Sequence, residues 1–251
     1  MLKLERVSKE FGGLRAVHEL DLLLAPGEML GLIGPNGAGK TTVTNLITGL
    51  MSCSGGRITF GELDITRLEA PEIARAGIAR TFQTSRLFKR MSVLDNVVVA
   101  IQESAEERVS TLGCLIGRRR AFVLEREWKA RARELLARFG IERHADDEAK
   151  TLSYGVQRRV EIARALALSP KALLLDEPVA GMNDAEAEEL GAIFRQLRDE
   201  GMAVLLIEHN VPFVTRTCDR VNVLSHGQLI ASGTPQQVIG EPAVIEAYLG
   251  S

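Results

Sequence analysis

The sequence predicts an α/β protein: a mostly parallel core sheet, antiparallel strands at the ends, and an inserted helical subdomain. Three observations carry this. Short strand-like runs alternate with helical spacing, the order that the crossovers of a parallel sheet produce. Residues 28–33, 171–175 and 203–207 are almost continuously apolar, as strands covered on both faces are. From about Ser92 to Lys150 the strand-like runs give way to helical ones. The expected division is a core of residues 1–84 and 156–251 and a helical subdomain of residues 85–155, within one 251-residue domain.

Taken in order, residues 2–7 and 17–24 alternate or run apolar around Gly12-Gly13 and read as antiparallel strands. Residues 28–33 form a buried strand entering a glycine-rich turn, and a helix follows from Thr41 to about Leu50. Residues 57–60 read as a short strand turned at Gly61. In the helical stretch Trp128, Ala132, Leu135, Leu136 and Phe139 fall on one face closed by Gly140, so Trp128 is expected in the core. The next helix runs from Ser153 to about Leu168 and stops before Pro170. Residues 171–175 are a buried strand ending in Asp176-Glu177-Pro178. Leu190, Ile193, Phe194 and Leu197 mark an amphipathic helix ending at Gly201, and residues 203–207 return to the sheet. Residues 220–224 and 228–231, joined through His226-Gly227, read as a hairpin.

Composition narrows the function. The chain is 45% hydrophobic and 25% charged, ordinary for a globular protein. Its 31 Lys+Arg against 33 Asp+Glu leave a net charge of −2, which argues against a phosphate-backbone binder, so no nucleic-acid partner is expected. The apolar runs are far shorter than the ~20 residues of a membrane span. Charges near the start stand where an export signal needs its apolar segment, so no export is expected. Cys53, Cys114 and Cys218 are odd in number and widely spaced, consistent with free thiols in a reducing compartment. The basic run Arg118-Arg-Arg120 reads as a solvated face.

The strongest chemical signal is Gly34-Pro35-Asn36-Gly37-Ala38-Gly39-Lys40-Thr41, which fits G-x-x-x-x-G-K-[ST] between a strand and a helix. Its glycines let successive backbone N–H groups point inward, and the helix N-terminus adds positive potential. Lys40 would reach the terminal phosphates and Thr41 offer its hydroxyl to Mg²⁺, which implies a bound nucleoside triphosphate. Magnesium prefers oxygen ligands, and Asp176, at the end of a buried strand, is the expected metal-side carboxylate. Glu177 is the candidate to polarise the attacking water. His209, also at a strand end, could hydrogen-bond phosphate and water together. Gln83 could meet Mg²⁺ or water without adding charge. Ser153 reads as a helix N-cap, or with Gly155 as a second phosphate-binding terminus serving another molecule's nucleotide.

In this order the motifs resemble the ATP-binding subunit of ABC transporters, over essentially the whole chain: Walker A at 34–41, the Q-loop at Gln83, the signature at 152–157, Walker B with its glutamate at 173–177, and the switch histidine His209. The resemblance implies a P-loop NTPase core of the ABC type. It also implies ATP and Mg²⁺ as cofactors, and a head-to-tail dimer with two ATP molecules between Walker A of one subunit and Ser153 and Gly155 of the other. Phe11 would stack on adenine. Val17 and Thr42 join residues 34–41 in the nucleotide site, while Thr41, Gln83 and Asp176 face the metal. Catalysis falls to Glu177, His209, Gln83 and Lys40.

Finer matches point to the branched-chain amino acid importers: Phe11-Gly-Gly13, Arg80-Thr-Phe-Gln83, Met91-Ser-Val-Leu-Asp-Asn96, the Ser-Tyr-Gly signature, Ile207-Glu-His-Asn210 and the tail Ala247-Tyr-Leu-Gly250. Urea and short-amide importers carry much the same set, and a soluble non-transport ABC ATPase is the remaining alternative. The implied partners are transmembrane permease subunits, a second ATP-binding subunit and, indirectly, a substrate-binding protein. The implied location is the cytoplasmic face of the membrane. Three positions depart from the wider family. Tyr154 replaces a glycine, as the branch does. Val156 removes a polar side chain near the opposing nucleotide and implies weaker closure. Asn183 keeps the hydrogen bonding of the usual aspartate and loses its charge.

Overall fold

A computed structural model describes residues 1–82, 86–104 and 118–249, side chains of 118–121 and 249 excepted. The chain forms two compact units, Met1–Gln83 with Lys171–Ser251, and Thr84–Pro170. The sequence reading drew the insertion at 85–155; the helix that follows the signature lies in the second unit.

In the first unit the long strands β1 (Leu2–Phe11) and β2 (Leu14–Leu24) pair antiparallel around the Gly12-Gly13 turn. With β4 (Gly55–Phe60) and β5 (Leu63–Asp64) they form a sheet of order β2-β1-β4-β5. The second sheet holds β3 (Met29–Ile33), β6 (Ile78–Arg80), β7 (Ala172–Asp176), β8 (Ala203–Ile207), β9 (Arg220–Ser225) and β10 (Gln228–Gly233) in the order β10-β9-β3-β8-β7-β6. All its pairings are parallel except β9 with β10. Every residue of β3, β7 and β8 is buried, which explains their unbroken apolar runs.

One apolar core joins the two sheets. It takes Leu2 and Leu4 from β1, Leu22 and Leu24 from β2, Leu30 and Leu32 from β3, and Val43, Leu46 and Ile47 from α1 (Lys40–Ile47). Burial of each such side chain stabilises the fold by about 1.5–3 kcal/mol, so β3 and α1 leave the turn between them little freedom. The unit is completed by α2 (Ala70–Ala76), and, past β7, by α6 (Asp184–Asp199), α7 (Val211–Thr217), α8 (Pro235–Ile239) and α9 (Pro242–Leu249).

The second unit is helical: α3 (Val93–Ser104), α4 (Arg118–Arg138) and α5 (Tyr154–Ala167). Val97 and Ile101 of α3, Leu136 of α4, Phe139 just past it, and Val160 and Ile162 of α5 are fully or almost fully buried. Gly140 ends α4 with φ 67°, donating to Ala137 O while Ile141 donates to Leu136 O, the reversed pair of bonds that a left-handed glycine permits. Trp128 corrects the expectation: at the outer end of the stripe it is half-buried, while Ala132 and Leu136 reach the core. Among described residues no helix is long and apolar enough to cross a membrane.

Candidate functional site

Parallel strands end at the same edge of their sheet, and register fixes which residues meet there. Leu32 of β3 pairs with Ile207 of β8, and Asp176 of β7 pairs with that same Ile207. β3 ends one residue later, at Ile33, so Gly34, Glu177 and Glu208-His209 leave the sheet at the same edge. This edge, at the carboxyl ends of the strands, is where open α/β sheets bind ligands.

The turn after β3 is shaped by glycines that nothing else could replace. Gly34 has φ 147°, and a Cβ there would sit 2.1 Å from Leu224 O. Gly39, the N-cap of α1, has φ 103°, and a Cβ would come within 2.5 Å of Ala16 O. The β9–β10 turn supports the loop from below, with Gly227 N–H donating to Ala38 O at 3.0 Å. Gly37, by contrast, has φ 79° with open space where a Cβ would be. Pro35, Asn36 and Gly37 crown the turn, Ala38 is buried beneath it, Thr41 is exposed at the helix start and Thr42 is half-buried.

Lys40 lies inside the turn, its Nζ donating to Gly34 O at 2.6 Å and Pro35 O at 2.9 Å. Burial pulls its pKa below the ordinary lysine value, and the charges of Glu177 and Asp176 work against that shift. A cation hydrogen-bonded to two carbonyls, at a ring of left-handed glycines, fits a polyanionic phosphate tail. The donor set around it, the Thr41 hydroxyl and the Asp176 carboxylate, is hard oxygen of the kind Mg²⁺ prefers. No group of three or more His, Cys, Asp or Glu able to hold a metal occurs among the described residues, so those two oxygens would need the phosphates to complete a coordination shell.

Glu177 follows β7 in a left-handed conformation, φ 48°, its N–H donating to Ile207 O at 2.9 Å. Such backbone in a residue with a side chain is costly and concentrates at functional sites. His209 is 63% exposed, its Nδ1 standing 3.7 Å from Glu177 Oε1, beyond hydrogen-bond reach. Glu208 next to it is buried. Its carboxylate accepts from Val179 N and His209 N at 3.2 Å and from Asn210 N at 3.5 Å, clamping the turn after Glu177 to the histidine. Burial raises the Glu208 pKa above the ordinary glutamate value, against those backbone bonds.

Phe11 ends β1 and is 46% exposed, with Lys9 Nζ over its ring, 5.1 Å from the centroid. Val17 is fully buried in the core, close to Gly39 and Gly227 of the loops at the site. Gln83 lies outside the described residues, as do Cys114 and the side chains of Arg118-Arg-Arg120. In the second unit Ser153 is the N-cap of α5, but its hydroxyl makes no capping bond; Ser153 and Tyr154 are exposed, and Gly155 and Val156 half-buried. Asn183 caps α6 through a reciprocal pair with Glu186, both bonds at 3.0 Å.

Two residues of the site escape sequence reasoning. Glu208 reads there as the last residue before a histidine. Arg80 reads as part of a short motif, yet its guanidinium is buried against Asp176, 2.8 Å from Oδ2. The only sequence signal for Arg80 is a lone cation closing an apolar strand.

The ABC transporter family profile matches residues 17–180, and that of branched-chain amino acid ATP-binding cassette transporters matches residues 228–251. The latter stretch covers β10 and the terminal helices, where Ala243 and Glu246 help line a groove of about 660 Å³ beside Pro35 and Asn36. The chain is 42% identical over its full length to 98% of the high-affinity branched-chain amino acid transport ATP-binding protein LivG of Escherichia coli. It is 38% identical, over 99% of its length and 97% of the relative's, to the lipopolysaccharide export system ATP-binding protein LptB of the same species. Among solved structures it is similar to the ADP conformation of the ABC transporter cassette MJ1267, at 32% identity and TM-score 0.85, covering 100% of this chain and 99% of that one.

Proposed function

The chain belongs to the ABC transporter family, and from that premise we propose that it is the ATP-hydrolysing subunit of an importer, driving uptake of branched-chain amino acids through separate permease subunits. The observation that carries the ATPase reading is the gathering of the glycine turn, Asp176-Glu177 and His209 on one sheet edge. Support for the cargo comes from the match of the last 24 residues and from the likeness to LivG. LptB, named for lipopolysaccharide export, is 38% identical, so likeness of the nucleotide site alone does not set the cargo.

In this reading the turn binds the triphosphate, Lys40 leaves its two carbonyls for the terminal phosphates, and Phe11 stacks on the base. Thr41, Asp176 and Gln83 would hold Mg²⁺, which when bound neutralises phosphate charge. Glu177 accepts a proton from water as its oxygen attacks the γ-phosphorus in line. The bond from that phosphorus to the bridging oxygen breaks, leaving ADP and phosphate. His209 would hydrogen-bond the water and the γ-phosphate together. Ser153 and Gly155 serve the nucleotide of a second ATP-binding subunit, so that ATP closes the dimer and its hydrolysis reopens it at the cytoplasmic face of the membrane. A substrate-binding protein would deliver the amino acid to the permeases.

Glu177→Gln tests this. ATP should still bind and shift the variant to dimer on gel filtration, while hydrolysis falls at least about a hundredfold, the usual contribution of a general base. Unchanged turnover would remove Glu177 from its role, and no ATP-dependent shift would count against the sandwich.

A further inference from the structure

We propose that Arg80 is a positioning residue for Mg²⁺–ATP: it sets the separation and orientation of the two metal-side groups, Asp176 and Thr41, by tying the end of β7 to helix α1. The inference rests on the ATPase reading above. Arg80 closes β6, and its side chain is as buried as that of its partner, 6% against 7% exposed. One arm of the guanidinium, Nη2, holds Asp176 Oδ2 at 2.8 Å. The other, Nη1, donates to Asn45 Oδ1 at 2.6 Å and reaches Thr48 Oγ1 at 3.4 Å, both at the far end of the helix that Lys40 and Thr41 begin.

The neighbouring residue adds a second grip, since Asp176 N–H donates to Thr81 Oγ1 at 3.3 Å and Thr81 N–H to Leu174 O at 2.9 Å. The end of β6 thus fixes Asp176 by side chain and main chain at once. A carboxylate offers about four lone-pair sites, so engagement of one oxygen by Arg80 orients the group without exhausting it. Bridging Asn45 and Asp176 needs a planar fork with donors on two arms; a lysine has one nitrogen and cannot span both. Arg80 also stacks over Phe82, 5.1 Å from the ring centroid, which holds the fork at the last described residue before Gln83.

A purely structural ion pair would weaken nucleotide binding equally with and without metal. A positioning role predicts otherwise. The full-length protein is titrated with a fluorescent ATP analogue in EDTA, then with Mg²⁺ at fixed nucleotide. For Arg80→Gln the Mg²⁺ concentration at half-effect should rise at least tenfold while Mg²⁺-free affinity stays within twofold. Arg80→Lys restores the charge but not the fork, and should recover less than half of that shift on a logarithmic scale. Asn45→Ala keeps the ion pair, loses the anchor, and should move the midpoint at least threefold in the same direction. If Arg80→Gln does not fold, Asn45→Ala decides alone. A midpoint moved less than threefold in Asn45→Ala, or metal-free affinity falling in step with the metal-bound value, overturns the proposal. Wild type that binds no ATP in either condition overturns the ATPase reading itself.

Discussion

Glu177 sits in the left-handed region at φ 48°, and the cost of holding a side chain there can be measured by comparing two small residues at that position. A Cβ in that conformation costs about 1–2 kcal/mol, a cost glycine escapes. Glycine in turn gives the unfolded chain more freedom than alanine, which disfavours it by about 0.4–1 kcal/mol where the backbone suits both. Glu177→Ala and Glu177→Gly lose the same carboxylate and the same packing, so these two backbone effects alone separate them. The difference leaves the glycine variant more stable by about 0.8 kcal/mol, the reverse of the order at an ordinary helical or extended site. For a chain of this size each kcal/mol moves the melting temperature by about 2–4 °C, so Glu177→Gly should melt about 2–3 °C above Glu177→Ala in differential scanning calorimetry. Both should lack hydrolysis. An alanine variant more stable than the glycine variant by about 0.4–1 kcal/mol, the order of an ordinary site, would show that the turn carries no strain and refute the reasoning.

Two further outcomes follow from the same geometry. Phe11→Ala removes an exposed ring whose stacking on a base is worth about 1–3 kcal/mol; equilibrium ATP binding should weaken about tenfold or more with the melting temperature nearly unchanged, and Phe11→Tyr should restore it. Glu208 has a folded pKa raised by burial above its reference of 4.5, so the native state binds more protons than the unfolded one between that value and the raised one. Its contribution is favourable at low pH and is lost as pH rises through the folded pKa; the melting temperature of Glu208→Gln should therefore gain on wild type over that interval, and a constant difference would contradict the assignment.

Much of this was legible in the residues. β3, β7 and β8 are buried on both faces, so their apolar runs could scarcely read as anything else, and the spacing of Gly34, Gly39 and Lys40 encodes a backbone shape directly. β6 escaped because three residues carry no periodicity, and α2 because its Ala-Pro-Glu start resembles a loop until the capping box of Glu69 and Glu72 is seen. Helix α7 hid behind the histidine motif, though Asn210 caps it and Pro212 follows in the first turn. The pairing of Arg80 with Asp176 spans 96 residues and is set by the neighbouring places of β6 and β7 in the sheet, which no local pattern reveals. The burial of Val17 in the core is likewise a matter of which way β2 turns its side chains, which the family pattern does not state.

The account stands on Lys40, whose amino group occupies the glycine turn that a triphosphate would fill. Isothermal titration of the purified full chain and of Lys40→Ala with ATP and Mg²⁺ is the most direct test. Wild type should bind and the variant should lose at least about a hundredfold in affinity, a charge-assisted contact of ~3 kcal/mol. Equal affinities would contradict the phosphate-binding role of the turn and everything built on it.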